Sequence, residues 1–310
     1  MGQDIREAVE RLKRERDAVV LAHYYVPGET QDLADFVGDS FALARIAATC
    51  DASTVVMAGV RFMGESVKLL NPGRRVLLPE PAADCPMAHM VDPDLIARCR
   101  AEEDDLAVAC YVNSTAALKA LSDVCVTSSN AVDVVRALPQ RTVLFIPDEN
   151  LGRFVAELVP EKRVILNPGC CPIHRDIPAA AVAAERDRHP GAVVLAHPEC
   201  PADVLALADV VGSTAEIIRA VEESDAADFV VCTVEGVGHE IARRCEGTGK
   251  RVHFPAPAPC CPDMAGITPE KVLACLETGS GEVPLPPDAD AARAPLERML
   301  EFAARGGDAR

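Results

Sequence analysis

Three stretches of this chain can be laid over one another, and that constrains its fold more than any other feature. "VVLAHYYV" (19–26), "AVACYVNS" (107–114) and "VVLAHPEC" (193–200) are each an apolar run ending in a polar cluster. Next come "LADFVGDSFALARIA" (33–47), "LSDVCVTSSNAVDVV" (121–135) and "LADVVGSTAEIIRAV" (207–221). Each unit closes on a basic-then-apolar run and a proline-rich loop: "RRVLLPEPAADCPM", "KRVILNPGCCPIH" and "KRVHFPAPAPCCPDM". The register holds along the unit. His23 maps to Tyr111 (111 − 23 = 88) and Tyr111 to His197 (197 − 111 = 86); Ser40, Ser128 and Thr214 keep the same two offsets. Internal repetition of this kind marks one supersecondary unit used several times.

Each unit alternates short β-branched runs with runs of helical period, such as "FALARIAA" and "AEIIRAVEE", and that alternation predicts parallel sheets with right-handed crossovers. In the first unit the expected strands are 19–23, 36–38, 54–58 and 75–79. The fold class is therefore α/β: three αβα sandwich domains related by a pseudo-threefold, with short parallel sheets around a central pocket. The expected boundaries are 1–104, 105–190 and 191–310, with a leading helix over 1–16 and a trailing helix over 289–305.

Forty-eight acidic residues against 31 basic ones give a net charge of −17, and no basic cluster offers a footprint for nucleic acid. The amino terminus, "MGQDIREAVERLKRER", lacks the apolar core of a signal peptide. No run approaches the roughly 18 apolar residues of a membrane span. The expectation is a cytoplasmic protein that meets neither nucleic acid nor membrane. Thirteen cysteines are then conspicuous, because a reducing compartment disfavours disulfides. Most are expected to act as small buried hydrophobes.

Ligands of open parallel sheets bind beyond the carboxyl ends of the strands, where His23, Tyr111 and His197 fall. Ser40, Ser128 and Thr214 follow the second strand of each unit and open a helix. There they are either plain N-caps or, with the free N–H groups of a helix start, anion sites. In the closing loops Cys85 maps to Cys171 (86) and Cys171 to Cys261 (90), each followed by proline. Cys170 and Cys260 have no counterpart in the first unit, where Asp84 precedes Cys85. Three thiolates around an axis suit zinc with an open position or a [4Fe–4S] cluster with one iron lacking a protein ligand; spacing alone leaves both open.

The stretches "AHYYVPGETQDLADFVGDS", "GVRFMGESVKLLNP", "CPMAHM", "YVNSTAALKALSDVCVTSSNAV", "PGCCPIH", "HPEC", "ADVVGSTAEII" and "CPDMAGITPEKVL" resemble the quinolinate synthase family of NAD biosynthesis, from about residue 20 to 276. The resemblance implies one [4Fe–4S] cluster ligated by Cys85, Cys171 and Cys261. It implies condensation of iminoaspartate with dihydroxyacetone phosphate to quinolinate, releasing phosphate and two waters, and a functional link to an enzyme that produces iminoaspartate. It carries substrate contacts over to His23, Ser40, Tyr111, Asn113, Ser128, His197, Glu199 and Thr214, with backbone contacts at Val112 and Pro198. Acid–base roles fall to Tyr25, His23, His197 and Glu199. The sequence departs from the family pattern at Asn167, where an aromatic residue is usual, and at Thr233-Val234, where an acidic residue usually follows the threonine; Glu235 stands one place later. The C-x-x-C-x-x-C pattern of some members is reduced to Cys260-Cys261.

Overall fold

The computed structural model describes residues 3–307. The leading helix runs over Gln3–Glu15; residues 1 and 2 of the expected 1–16, and the last three of the chain, lie outside the described residues. Ile5, Val9 and Leu12 recur at helical spacing, and this stripe packs on the first sheet beside Val20 and Val56. The trailing helix spans Ala289–Gly307.

Twelve strands occur among the described residues: β1 Ala18–His23, β2 Phe36–Gly38, β3 Thr54–Ala58, β4 Arg75–Leu77, β5 Leu106–Tyr111, β6 Val124–Val126, β7 Thr142–Ile146, β8 Arg163–Leu166, β9 Val193–Ala196, β10 Val210–Val211, β11 Asp228–Cys232 and β12 Arg251–His253. They form three four-stranded sheets of one topology, β2-β1-β3-β4, β6-β5-β7-β8 and β10-β9-β11-β12, and every ladder is parallel. β4 stops two residues before the expected 79. There Leu78 donates its N–H to the Gly281 carbonyl and Val283 donates to Val76, so a segment from the far end of the chain covers the free edge of the first sheet.

One aspartate per unit fixes the register of the second strand. Asp35, Asp123 and Asp209 donate their own N–H to Val20, Val108 and Val194 at 2.8–3.0 Å. Their carboxylates accept the N–H of the same three valines at 2.7–2.8 Å. A slip by one residue would break both bonds and turn every side chain of the strand over.

The sheets are buried on both faces, as parallel sheets must be. In the third, Leu195, Phe229 and Val231 meet Ile217, Ile218 and Ile241 on one side. Val194, Val230 and Cys232 meet Ile177, Val182 and Val204 on the other. That is the period-two alternation of strand side chains. The first two sheets share one continuous core, which includes Leu296 and Met299 of the trailing helix. The helix Pro269–Thr278 follows the third sheet but packs on Gln3–Glu15 and β3, which ties the two ends of the chain together. No helix among the described residues is long and apolar enough to cross a membrane.

Candidate active site

The carboxyl ends of the three central strands, β1, β5 and β9, converge on one cavity. His23 ends β1, Tyr111 ends β5, and His197 follows β9. All three line the cavity, and so do the residues two places on: Tyr25, Asn113 and Glu199. The side chains between them turn away. Tyr24 packs into the third unit's core. Val112 faces Met57, Met63 and Leu296 in a separate small cavity, and its N–H is taken by the Val126 carbonyl. Neither Val112 nor Pro198 lines the main cavity.

The two imidazoles are held alike. His23 Nδ1 accepts the Tyr25 N–H at 3.2 Å, and His197 Nδ1 accepts the Glu199 N–H at 3.3 Å. A ring nitrogen that accepts leaves the proton on Nε2, so each neutral ring presents a donor to whatever else it meets. Burial holds both in that form: it pushes His23 down to about 4 and His197 to about 3 despite the nearby Glu199 carboxylate.

Ser40, Ser128 and Thr214 also line the cavity, and none is a helix cap. Asp39 caps Ser40–Thr49 by accepting the Ala42 N–H at 2.8 Å. Ser213 caps Thr214–Glu223 in a capping box with Glu216. Ser128 precedes the helix Ala131–Ala137, whose cap position is Asn130. Ser40 and Thr214 therefore sit at the first helical position, with a hydroxyl beside unsatisfied backbone N–H groups. Among the described residues no lysine or arginine lines the cavity, so an anion there is met by hydroxyls, amides and imidazole N–H groups.

Cys85, Cys171 and Cys261 enter from three loops of one design. Each has extended backbone and caps a single turn opened by proline: Pro86–His89, Pro172–Arg175 and Pro262–Ala265. All three line the cavity, whereas Cys170 and Cys260 do not. Burial pushes the Cys85 thiol up to about 12 and raises Cys171 and Cys261 too; Cys261 adds to the effect at Cys85, and Cys85 to that at Cys171. The sulfurs thus share one electrostatic neighbourhood, with no lysine or arginine among the described lining residues to offset them. Asp148 caps Glu149–Leu158 and holds the Cys171 N–H at 3.0 Å.

Two residues outside the expected set join the site. His174 Nδ1 lies 2.8 Å from Glu199 Oε2 and 3.2 Å from Cys171 Sγ. Its Nε2 lies 2.8 Å from Thr233 Oγ1. Thr233 Oγ1 is 2.6 Å from Tyr25 Oη, which is 2.9 Å from Thr214 Oγ1. The result is one hydrogen-bonded chain, Glu199–His174–Thr233–Tyr25–Thr214, buried except at the half-buried Tyr25 and drawn from all three units. Burial, then the Glu199 charge, raises the Tyr25 phenol well above its usual range, so Tyr25 is a neutral donor. Burial opposes the Glu199 charge, but the His174 and His197 rings and the facing Tyr111 phenol outweigh it and hold the carboxyl down to about 2. Glu199 Oε1, Asn113 Oδ1 and Thr127 Oγ1 are buried at this cavity without a protein partner. Buried polar atoms of that kind are ordinarily satisfied by ligand or water.

The remaining departures are placed as follows. Asn167 is buried and donates through Nδ2 to the Met90 and Pro147 carbonyls at 2.9 and 2.7 Å; an aromatic ring there could not make those bonds. Glu235 donates its N–H to Pro259 and sits beside Cys260, outside the cavity lining.

A family profile described as quinolinate synthetase A protein matches residues 7–301. A quinolinate synthase of Fusobacterium nucleatum is 43% identical over 300 residues, covering 96% of this chain and 99% of that protein. Quinolinate synthase 2 of Methanosarcina acetivorans is 41% identical over 298 residues, 96% of this chain and 95% of that one. The Aquifex aeolicus quinolinate synthase is 40% identical over 307 residues, 97% and 94% of the two chains.

Proposed function

The chain belongs to the quinolinate synthetase A family, and on that premise we propose that it condenses iminoaspartate with dihydroxyacetone phosphate to quinolinate, with a [4Fe–4S] cluster held by Cys85, Cys171 and Cys261. Seven carbons enter as four and three, phosphate and two waters leave, and no electrons are exchanged. The reaction therefore needs dehydration and proton movement rather than an oxidant. Iminoaspartate is the labile partner, which calls for a dedicated enzyme to supply it.

The donor set fits such a cluster. Three half-buried thiols in a cavity lined by no lysine or arginine among the described residues call for a cationic centre. A single zinc with bonds of about 2.3 Å needs its sulfurs within roughly 4 Å of one another. The donor triads lying within 4.8 Å among the described residues are Cys171–His174–Glu199 and Glu185–His189–His253; the three cysteines do not form one. When bound, a cluster with an iron lacking a protein ligand supplies Lewis acidity toward a substrate oxygen.

The side chains supply the rest. The N–H groups and hydroxyls at Ser40 and Thr214 suit carboxylate and phosphate, with Ser128, Asn113 and the Nε2–H groups of His23 and His197 beside them. Tyr25 gives or takes the proton that each elimination and tautomerisation requires. When Tyr25 takes a proton, Thr233 passes its own on to His174 and Glu199 stabilises the imidazolium that results; the reverse transfer replaces a proton that Tyr25 gives up. Because His174, Thr233 and Tyr25 can each donate and accept, a proton can cross between His174 and Tyr25 without leaving an isolated charge on the threonine. This hydrogen-bonded chain, sited in a cavity with three thiols, carries the proposal, because it is acid–base machinery.

The test is anaerobic reconstitution with iron and sulfide, feeding of both substrates, and assay for quinolinate. Product that scales with bound cluster supports the reading, and full activity without iron overturns it. The Cys171–His174–Glu199 triad favours a second reading, a single divalent ion in the same cavity. Counting sulfide per chain separates the two, because a lone ion brings none.

A further inference from the structure

On the outside of the third sheet a second group of ligand-type side chains meets. Glu185, His189 and His253 bring three donor atoms within 4.8 Å of one another, and none of them lines the cavity. Glu185 lies in the helix Ala179–Arg188 and His189 caps its carboxyl end, so the two, four residues apart, share a face. His253 closes β12 on the neighbouring edge. The two imidazole rings stack with centroids 3.5 Å apart and planes 14° from parallel. Glu185 is buried, while the side chains of His189 and His253 are 29% and 18% exposed, enough for an ion to enter from solvent.

We propose that Glu185, His189 and His253 bind one divalent transition-metal ion of the zinc type, at a site separate from the catalytic cavity. Two nitrogens and a carboxylate oxygen suit zinc, cobalt or nickel, whereas calcium and magnesium prefer all-oxygen sets. Two imidazoles bound to one zinc at about 2.0–2.1 Å place their nitrogens roughly 3.3 Å apart at a tetrahedral angle. The donor atoms lie within 4.8 Å of one another, and because the two rings are stacked nearly parallel, one imidazole must turn out of the stack for both nitrogens to aim at one ion. His253 is also oriented as metal-bound histidines are. Its Nε2 lies 2.9 Å from Asp228 Oδ1, and Arg251 fixes that carboxylate through two bonds of 2.8 and 2.6 Å. With Nε2 so engaged, Nδ1 is the nitrogen left for the ion. Three protein donors leave a fourth position for water. Without an ion, the same contacts would only pin the helix to the edge strand.

The test uses anaerobically reconstituted protein given one equivalent of Zn2+. Binding is followed by calorimetry, and the ion's surroundings by X-ray absorption at the zinc edge, which the iron of a cluster does not obscure. One ion with nitrogen and oxygen neighbours, imidazole scattering and no sulfur is expected. His253→Ala and Glu185→Gln should each weaken binding by about tenfold or more, and Asp228→Asn by a similar factor through loss of orientation. Cluster content and quinolinate formation should stay unchanged in each. Sulfur beside the zinc, no saturable binding, or equal affinity in the variants overturns the proposal. Should His253→Ala fail to fold, Glu185→Gln and Asp228→Asn carry the same comparison. The zinc measurement reads this site whether or not the chain makes quinolinate.

Discussion

Tyr25 Oη lies 2.6 Å from Thr233 Oγ1, across 208 residues of sequence and between the first and third sheets. The threonine is fully buried, and its other neighbour is His174 Nε2. A hydroxyl so placed has a structural use and a use in proton transfer, and Thr233→Val separates them because the shape is nearly kept. If the chain of hydrogen bonds moves protons, kcat should fall about 10²-fold or more, while KM and cluster content change little. Thr233→Ser should restore most of the rate. A Thr233→Val enzyme with wild-type kcat would remove the threonine from the proton path.

Asp39 and Ser40 divide two tasks between adjacent residues. Asp39 makes the capping bond, so Asp39→Ala should cost about 1 kcal/mol of stability, read as a shift in the urea midpoint. Ser40 makes no capping bond, so Ser40→Ala should stay within about 0.5 kcal/mol of wild type yet raise KM or lower kcat. A loss of stability at Ser40 equal to that at Asp39, with unchanged kinetics, would return Ser40 to a structural role.

The repeat made much of this legible. Periodicity located β1, β2 and β3 nearly to the residue, and the 88 and 86 offsets picked out His23, Tyr111 and His197. The same offsets also align Tyr25, Asn113 and Glu199, the three that the family resemblance implies. His174 and Thr233 were invisible for a physical reason. Matching units rewards what the units share, and these residues act by differing. His174 stands three places after Cys171, where the other loops carry Ala88 and Met264; Thr233 follows β11, where Gly59 and Pro147 follow β3 and β7. If the scaffold performs the proposed asymmetric reaction, it has to break its threefold symmetry at the residues that do the chemistry. The packing of Pro269–Thr278 on the first sheet was equally hidden, since its apolar face is the same whichever sheet it covers.

The neutral histidines set an acid limit on stability. His23 and His197 titrate at about 4 and 3 in the folded chain, against roughly 6.5 when unfolded. Below 6.5 the unfolded chain binds protons that the folded one refuses. The contribution is therefore complete above 6.5 and is lost as pH falls toward the folded values. In that window each histidine should remove about 1.4 kcal/mol per pH unit. His23→Gln should lessen the slope of unfolding free energy against pH by about that amount between pH 6 and 4.5, measured in urea. An unchanged slope would mean that His23 is charged or exposed in the folded protein.

The adjacent cysteines provide the last prediction. Cys171 and Cys261 line the cavity beside Cys85, while Cys170 and Cys260 do not, and Cys260 is exposed. The geometry of the loop explains the choice. Cys171 and Cys261 are the extended residues just before a proline-led turn, and consecutive side chains in extended backbone point to opposite sides. Cys170→Ser and Cys260→Ser should then keep full iron and sulfide per chain and most of the quinolinate formed. Cys85→Ser, Cys171→Ser and Cys261→Ser should each lose the cluster or hold it weakly, because a serine oxygen is a harder and poorer partner for iron–sulfur sites than a thiolate. Iron, sulfide and product are counted on the same anaerobically reconstituted samples. Equal losses from both members of a pair, or a loss only at Cys170 or Cys260, would mean that the cavity thiols are not the ligands.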